Sequence, residues 1–296
     1  MVVDKSAGDK AFNVLNAVVL GILMLLFVLP FVYMFSISIS DPELVGKYKV
    51  GLFPQGINFE AYKTLLNTKS LFVSYYNSIR YALIGTVFSL TIAFLTAYPL
   101  SLKRFRYRTP FALFFTFTMF FSGGLIPTFL LYQNLRLIDT LWVIVLPGAF
   151  SFWNIILVRT NFQAIPYELF ESAYIDGAND WSILFRIVLP LSKAILATIA
   201  LFASVGLWNS FFPPMMYLNS ADMQPLTILL RRMLIANEVF SETDVRSDIV
   251  DPLIYSGQIV SLRMATIFVT IGPIILVYPF VQKYFVKGVM IGSVKG

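Results

Sequence analysis

The sequence predicts an all-α membrane protein with six transmembrane helices and both termini in the cytoplasm. Three observations carry this. Of 296 residues, 58% are hydrophobic and 13% are charged, against ~25% charged in a soluble globular domain. The mean hydropathy is +0.77, so one water-soluble core could not hide the apolar surface and the bilayer must act as solvent. Long uncharged runs then recur along the chain, each close to the roughly 20 residues that a membrane helix needs.

The elements follow in order. Residues 11–40 carry no charge, too long a run for a signal-peptide core of roughly 7–15 residues, so a retained first helix is expected at about 14–38. Pro42, Gly46, Gly51, Pro54 and Gly56 punctuate a polar loop over 40–70. The second span is expected at about 75–100, with Arg80 near its outer end. A third apolar run, about 110–135, contains FSGGLIP at 121–127. Paired glycines and a proline there predict a kink or a close helix contact. The fourth span is expected at about 141–158, interrupted by Pro147 and Gly148. The fifth falls at about 194–216 and the sixth at about 264–280. Between the last two lies an outer segment, 217–260, and a cytoplasmic tail occupies 283–296. No internal repeat is visible, and the chain reads as one domain.

Short-loop cations set the orientation. KRFRYR, residues 103–108, has four, whereas the turn at 136–140 has one. KRFRYR, the 161–190 segment and both termini are therefore expected in the cytoplasm. The net charge of +6 is read the same way, as cations gathered at membrane boundaries and not as a nucleic-acid surface. With no Cys and no His, disulfides, thiol chemistry, His-ligated metals and a His general base are excluded.

The polar stretch 166–190, PYELFESAYIDGANDWSILFRIVLP, is the segment around which the rest is arranged. Pro166 suits a first helical turn, and Glu168 and Glu171 lie near the positive end of the helix dipole. Spacing of three places these two carboxylates on one face, with Leu169, Ala173 and Tyr174 turned partly away. Asp176-Gly177 breaks the helix, since Gly accepts positive φ. A second helical piece, 181–188, leads to Leu189-Pro190. The stretch reads as a helix, a tight turn and another helix: a handle for a partner, or a solvated loop with helix caps.

Glu171-Ser172-Ala173-x-x-Asp176-Gly177-Ala178, followed by Phe185-Arg186-x-Val188-Leu189-Pro190, closely resembles the EAA loop of ABC importer permeases. The family pattern reads E-A-A-x-x-D-G-A and then F-x-x-I/V-L-P. Here Ser172 replaces the first Ala. Ala194 stands where many members carry a second Pro, which implies a less kinked start to the fifth span. Leu207-Trp208-Asn209, Pro225-Leu226 and the ending Phe285-Val286-x-Gly288-x-x-x-Gly292-x-Val294-Lys295-Gly296 are similar to the carbohydrate branch, the maltose-type second permease and Gram-positive oligosaccharide permeases. The similarity covers essentially all six spans.

That resemblance implies a type I ABC importer permease architecture. The loop would be a coupling helix seated in a cleft of a cytoplasmic ATPase subunit. Glu171 would pair with a cation there, Asp176 would cap or fix the turn, Gly177 would let the loop fit, and Pro190 would close it. The tail, with Gly288, Gly292, Lys295 and Gly296, would reach the ATPase as an extended, closely packed segment. The implied partners are a second homologous permease, two ATPase subunits that hold ATP and Mg, an extracytoplasmic solute-binding protein, the lipid bilayer and a saccharide. The chain itself binds no cofactor and no metal: it has no G-x-x-x-x-G-K-[ST] run and so no P-loop.

For a substrate path the candidates are Trp153 and Asn154 in the fourth span, and Trp208, Asn209 and Phe212 in the fifth. Amides bond sugar hydroxyls and aromatic rings stack on sugar faces. The same residues equally suit an interfacial aromatic belt and amide-mediated helix contacts. Two other transport readings stay open: a permease for a non-sugar solute such as peptides, and an ion-coupled secondary transporter. The latter class needs ionisable groups within spans, where only Arg80 qualifies.

Overall fold

The computed structural model describes residues 7–235 and 252–293, and among them every regular element is helical. Two compact units form: one from residues up to Lys69 with Leu230–Gly272, the other from Ser70–Leu229 with residues from Pro273 onward. Three helices are long and apolar enough to cross a membrane by length and composition, and up to six spans result if each of three bent helix pairs counts as one.

In the first unit, α1 (Ala7–Ser38) continues through Pro30. Its spanning stretch is unburied, as expected of a helix whose apolar side chains face lipid or a neighbouring subunit. A short α2 (Pro42–Gly46) starts on Asp41, whose carboxylate accepts from the Glu43 N–H, and α3 is Glu60–Asn67. Here too lie the last residues of α14 (Leu226–Ile235) and the first half of α15 (Pro252–Ser293). Ile37, Val45 and Val50 form a small core with Val260 and Met264. The Ser261 hydroxyl reaches the Ile37 carbonyl at 3.3 Å. Gly257 is obligatory at this crossing, since a Cβ there would sit 1.8 Å from the Pro42 carbonyl oxygen.

The second unit is built on α4 (Lys69–Ser101), which carries buried small residues at 74, 78, 82, 85, 89, 93 and 97. This stripe lets other helices approach closely, the usual device where lipid supplies no hydrophobic drive between helices. Into it packs Leu207 of α12 (Lys193–Trp208), which fills the space beside Gly85.

The FSGGLIP run is a break and not a close contact. Between α5 (Arg108–Phe120) and α6 (Leu125–Asn134) the axis turns by 111°, and a Cβ on Gly123 would meet nothing nearer than 3.9 Å. The fourth span is likewise two pieces, α7 (Trp142–Ala149) and α8 (Phe152–Gln163), bent by 43°. The fifth begins at Lys193 after a bend of 79°, so Ala194 in place of Pro does not straighten it. Pro190, which has no N–H, lies in α11 (Leu189–Leu191) just before this break, and upstream the chain widens into a π turn over Leu184–Val188, where Leu189 N–H bonds Leu184 C=O.

The outer connection is tied down by polar groups. Asn77 of α4 donates to the Asp222 carbonyl at 2.7 Å, Tyr81 to the Met223 carbonyl at 2.6 Å, and the Ser78 hydroxyl accepts from Leu226 N–H at 2.9 Å. Asp139, in the turn before α7, accepts from the Asn219 and Ser220 N–H groups at 3.0 Å each and from the Ser220 hydroxyl. These bonds, led by those from Ser220, hold the Asp139 carboxyl below its ordinary range. Within the segment 217–260, α14 (from Leu226) and the start of α15 (from Pro252) are helical, and α13 (Phe212–Tyr217) precedes them. The expected extended tail from residue 286 is also helix, through Ser293.

Candidate functional site

The handle folds as α9 (Tyr167–Ile175), a one-residue reversal, and α10 (Asp180–Ile183) running into the π turn. Its reversal is a Schellman closure: Ala178 N–H bonds Ala173 C=O at 2.9 Å and Gly177 N–H bonds Tyr174 C=O at 3.0 Å. Gly177 holds φ +79°, and its missing Cβ would meet no atom within 4 Å. Backbone conformation, not internal crowding, therefore requires glycine there. Asn179 then caps α10 by accepting from Ser182 N–H at 2.8 Å.

Within α9 the two faces separate cleanly. Phe170 and Ala173, 5% and 9% exposed, enter the core made with Phe94, Ala97 and Tyr98 of α4, Phe162 of α8, and Ile183, Leu184 and Val188. Glu168, Glu171, Ser172 and Asp176 remain exposed. So the Ala of the motif is the residue that seats the helix, whereas Glu171 and Ser172 are offered outward. Ser172 bonds back to the Glu168 carbonyl at 2.9 Å. Leu169 is exposed, and its neighbour Phe170 is the buried residue. At the tip, Ile175 is 86% exposed and Trp181, stacked on Phe185, is 62% exposed.

Asp176 fixes the turn through its backbone alone: its N–H bonds Ser172 C=O at 3.0 Å. Asp180 is the carboxylate that ties the handle to the body. One of its oxygens accepts from the Arg104 guanidinium, from Tyr174 hydroxyl at 2.7 Å and from Tyr98 hydroxyl at 3.3 Å. Arg104 also lies over the Tyr174 ring, 4.6 Å from its centre. Burial first, then Asp180, raises the Tyr174 phenol, which keeps it a donor at neutral pH. Sequence reasoning missed this group. Four partners spaced from 98 to 180 leave no local pattern, and only the excess of cations in KRFRYR hinted at one.

A second feature is a cavity of about 460 Å³ between α4, α6, α7, α8, α12 and α13. Its wall includes Asn154 and Phe212 from the predicted set, with Ser89, Tyr132, Ser210 and Tyr217 added by the fold. Trp153, Trp208 and Asn209 are not part of this wall: Trp153 is 54% exposed, and Asn209 ends α12. Ser89 is buried and its hydroxyl has no bonding partner among the described residues. Two hydroxyls, an amide and two phenols thus edge an otherwise apolar chamber, groups able to bond the hydroxyls of a ligand. Of the tail candidates, Gly288 and Gly292 lie on α15, and Lys295 and Gly296 lie outside the described residues. Among the described residues no cluster of three or more His, Cys, Asp or Glu could hold a metal ion.

The model of the family described as binding-protein-dependent transport system inner membrane component matches residues 70–291. Protein LplC of Bacillus subtilis (strain 168) is 37% identical over 287 residues, covering 97% of this chain and 96% of that one. The polygalacturonan/rhamnogalacturonan transport system permease protein YtcP of the same organism is 38% identical over 291 residues, covering 97% and 99%. Among solved structures, a bacterial ABC transporter involved in the import of the acidic polysaccharide alginate matches with a TM-score of 0.85 and 38% identity, over 95% of this chain and 98% of that one.

Proposed function

Because the chain belongs to the family of binding-protein-dependent transport system inner membrane components, a multi-pass permease of an ABC importer in the cytoplasmic membrane, we propose that its cargo is an oligosaccharide or polysaccharide fragment. The names of the relatives support this, since YtcP and the alginate importer belong to saccharide transport systems. The cavity edged by Ser89, Tyr132, Asn154, Ser210 and Tyr217 supplies hydroxyl-bonding groups without a charged one. In this reading the cavity is part of the path, and Asn154 and Phe212 contact the cargo.

The handle couples that path to a separate ATPase. One observation carries the assignment: α9 buries Phe170 and Ala173 in the body while holding Glu171 and Ser172 outward on a rigid, Schellman-closed base. A cleft carrying a cation opposite Glu171 would receive this face, and Gly177 would lie against the cleft wall, where no atom of this chain intrudes. ATP and Mg belong to that partner. Closure of the ATPase dimer moves the handle, and with it the spans. KRFRYR, the handle and both termini lie in the cytoplasm on this reading, and a second homologous permease completes the path.

Mild-detergent purification of the tagged chain from its native membrane tests both parts. The expected result is recovery of a Walker-motif ATPase and a second six-span permease, with a binding protein that takes up saccharides in a ligand screen. A chain recovered alone, or as a homodimer without ATPase, would overturn the coupling reading. A binding protein selective for peptides would overturn the saccharide reading.

A further inference from the structure

Two kinds of contact hold the handle to the rest of the second unit, and their magnitudes differ. Beneath it lies the apolar core around Phe170, Ala173 and Leu184, where burying each large side chain contributes about 1.5–3 kcal/mol. At the rim sits the Asp180 group. Arg104 and Asp180 are both half exposed, and such pairs contribute about 0–1 kcal/mol. Stability therefore does not explain why three side chains converge on one carboxylate oxygen. Direction does. The apolar core allows sliding, because it has no preferred angle. The bonds from Arg104, Tyr98 and Tyr174 have fixed lengths and angles, and they come from three places: the last turns of α4, the loop after it, and α9.

We infer that Asp180, Arg104, Tyr98 and Tyr174 form a clasp that locks the handle to the end of α4, so that a displacement of the handle moves α4 as one body with it. The handle is joined covalently to α8 before it and to the π turn and α12 after it. The clasp adds α4 as a further output, and α4 carries Ser89 on the cavity wall. Asp180 and Arg104 are positioning residues: neither lines the cavity assigned to the cargo. This inference rests on the coupling role proposed for the handle.

The chain contains no cysteine, which permits a clean spectroscopic test. Val87→Cys on the exposed side of α4 and Leu169→Cys, nearly opposite Glu171 on α9, are spin-labelled before assembly with the partner permease and ATPase. Their separation is measured by pulsed dipolar spectroscopy in nucleotide-free and ATP-vanadate-trapped complexes. The clasp requires one narrow separation in both states, within about the 2 Å that separates rigid interfaces from rearranging ones. Asp180→Asn and Arg104→Ala should broaden it and make it differ between states, and the reversed pair Arg104→Asp with Asp180→Arg should restore the narrow peak. A separation that changes between states in the parent chain would overturn the inference. So would a separation left narrow by every clasp variant, since the apolar core would then suffice. If the charge variants do not assemble, Tyr98→Phe with Tyr174→Phe removes two donors without altering charge, and the same criteria apply. The chain labelled alone still reports the clasp if no ATPase binds, so failure of the coupling reading is seen separately.

Discussion

At the scale of single residues, the same missing atom has different consequences in different places. A Cβ at Gly85 would lie 2.4 Å from Leu207 Cδ1, the free end of a side chain that can turn. At Gly257 it would lie 1.8 Å from a backbone carbonyl oxygen that cannot move without its helix. Gly85→Ala should therefore shift the detergent melting temperature little, whereas Gly257→Ala should destabilise by about 1–3 kcal/mol or more and reduce folded yield in size-exclusion chromatography. The cavity gives a second comparison. Asn154→Ala and Ser89→Ala remove wall groups and should lower uptake about fivefold each, the equivalent of one hydrogen bond of about 1 kcal/mol. Trp208→Ala, which alters no wall residue, should lower uptake less. Equal losses in vesicle uptake assays would place the cargo elsewhere.

The elements show where a residue pattern was readable and where it was not. Pro147, Pro190 and the glycine pair of FSGGLIP announced interruptions, and each lies at or next to a bend. Their size was not readable, because a bend angle depends on what receives the next segment. Leu169 and Phe170 make the same point within α9. Periodicity turned Leu169 partly away from the carboxylates but did not mark Phe170 as the side chain buried with Phe94 and Phe162. Asp139 carries the prediction for the outer connection. Its carboxyl titrates lower when folded, so the anchoring is fully present above the unfolded value near 4 and is lost as pH falls through the lower folded value. Amide exchange at 219–226 should accelerate as pH falls through that range, after correction for intrinsic rates. Asp139→Asn should be faster at neutral pH and should flatten that dependence.

At the scale of the whole molecule, the role proposed for the handle lies in a complex larger than this chain, and its prediction is about coupling. Gly177→Trp must accept a positive φ, which costs roughly 1–2 kcal/mol, and places a large side chain where this chain has only open space. Membrane insertion should survive. Uptake per ATP hydrolysed should fall at least tenfold in proteoliposomes holding the assembled importer, and unchanged uptake would show that nothing approaches Gly177.

The sequence by itself determined the solvent, the helical class, the six apolar runs, the handle from Glu171 to Pro190 and the kinship with importer permeases. Those properties are local or additive: hydropathy sums along a run, and a turn such as Asp176-Gly177 closes on its own neighbours. Only the tertiary structure decided that Asp180 and not Asp176 ties the handle to α4, that Asn154 shares a wall with Ser89 and Tyr217, and that Gly257 faces Pro42. Each of these depends on residues many turns apart being brought within a few ångströms, and that distance is set by packing, which no spacing along the chain records.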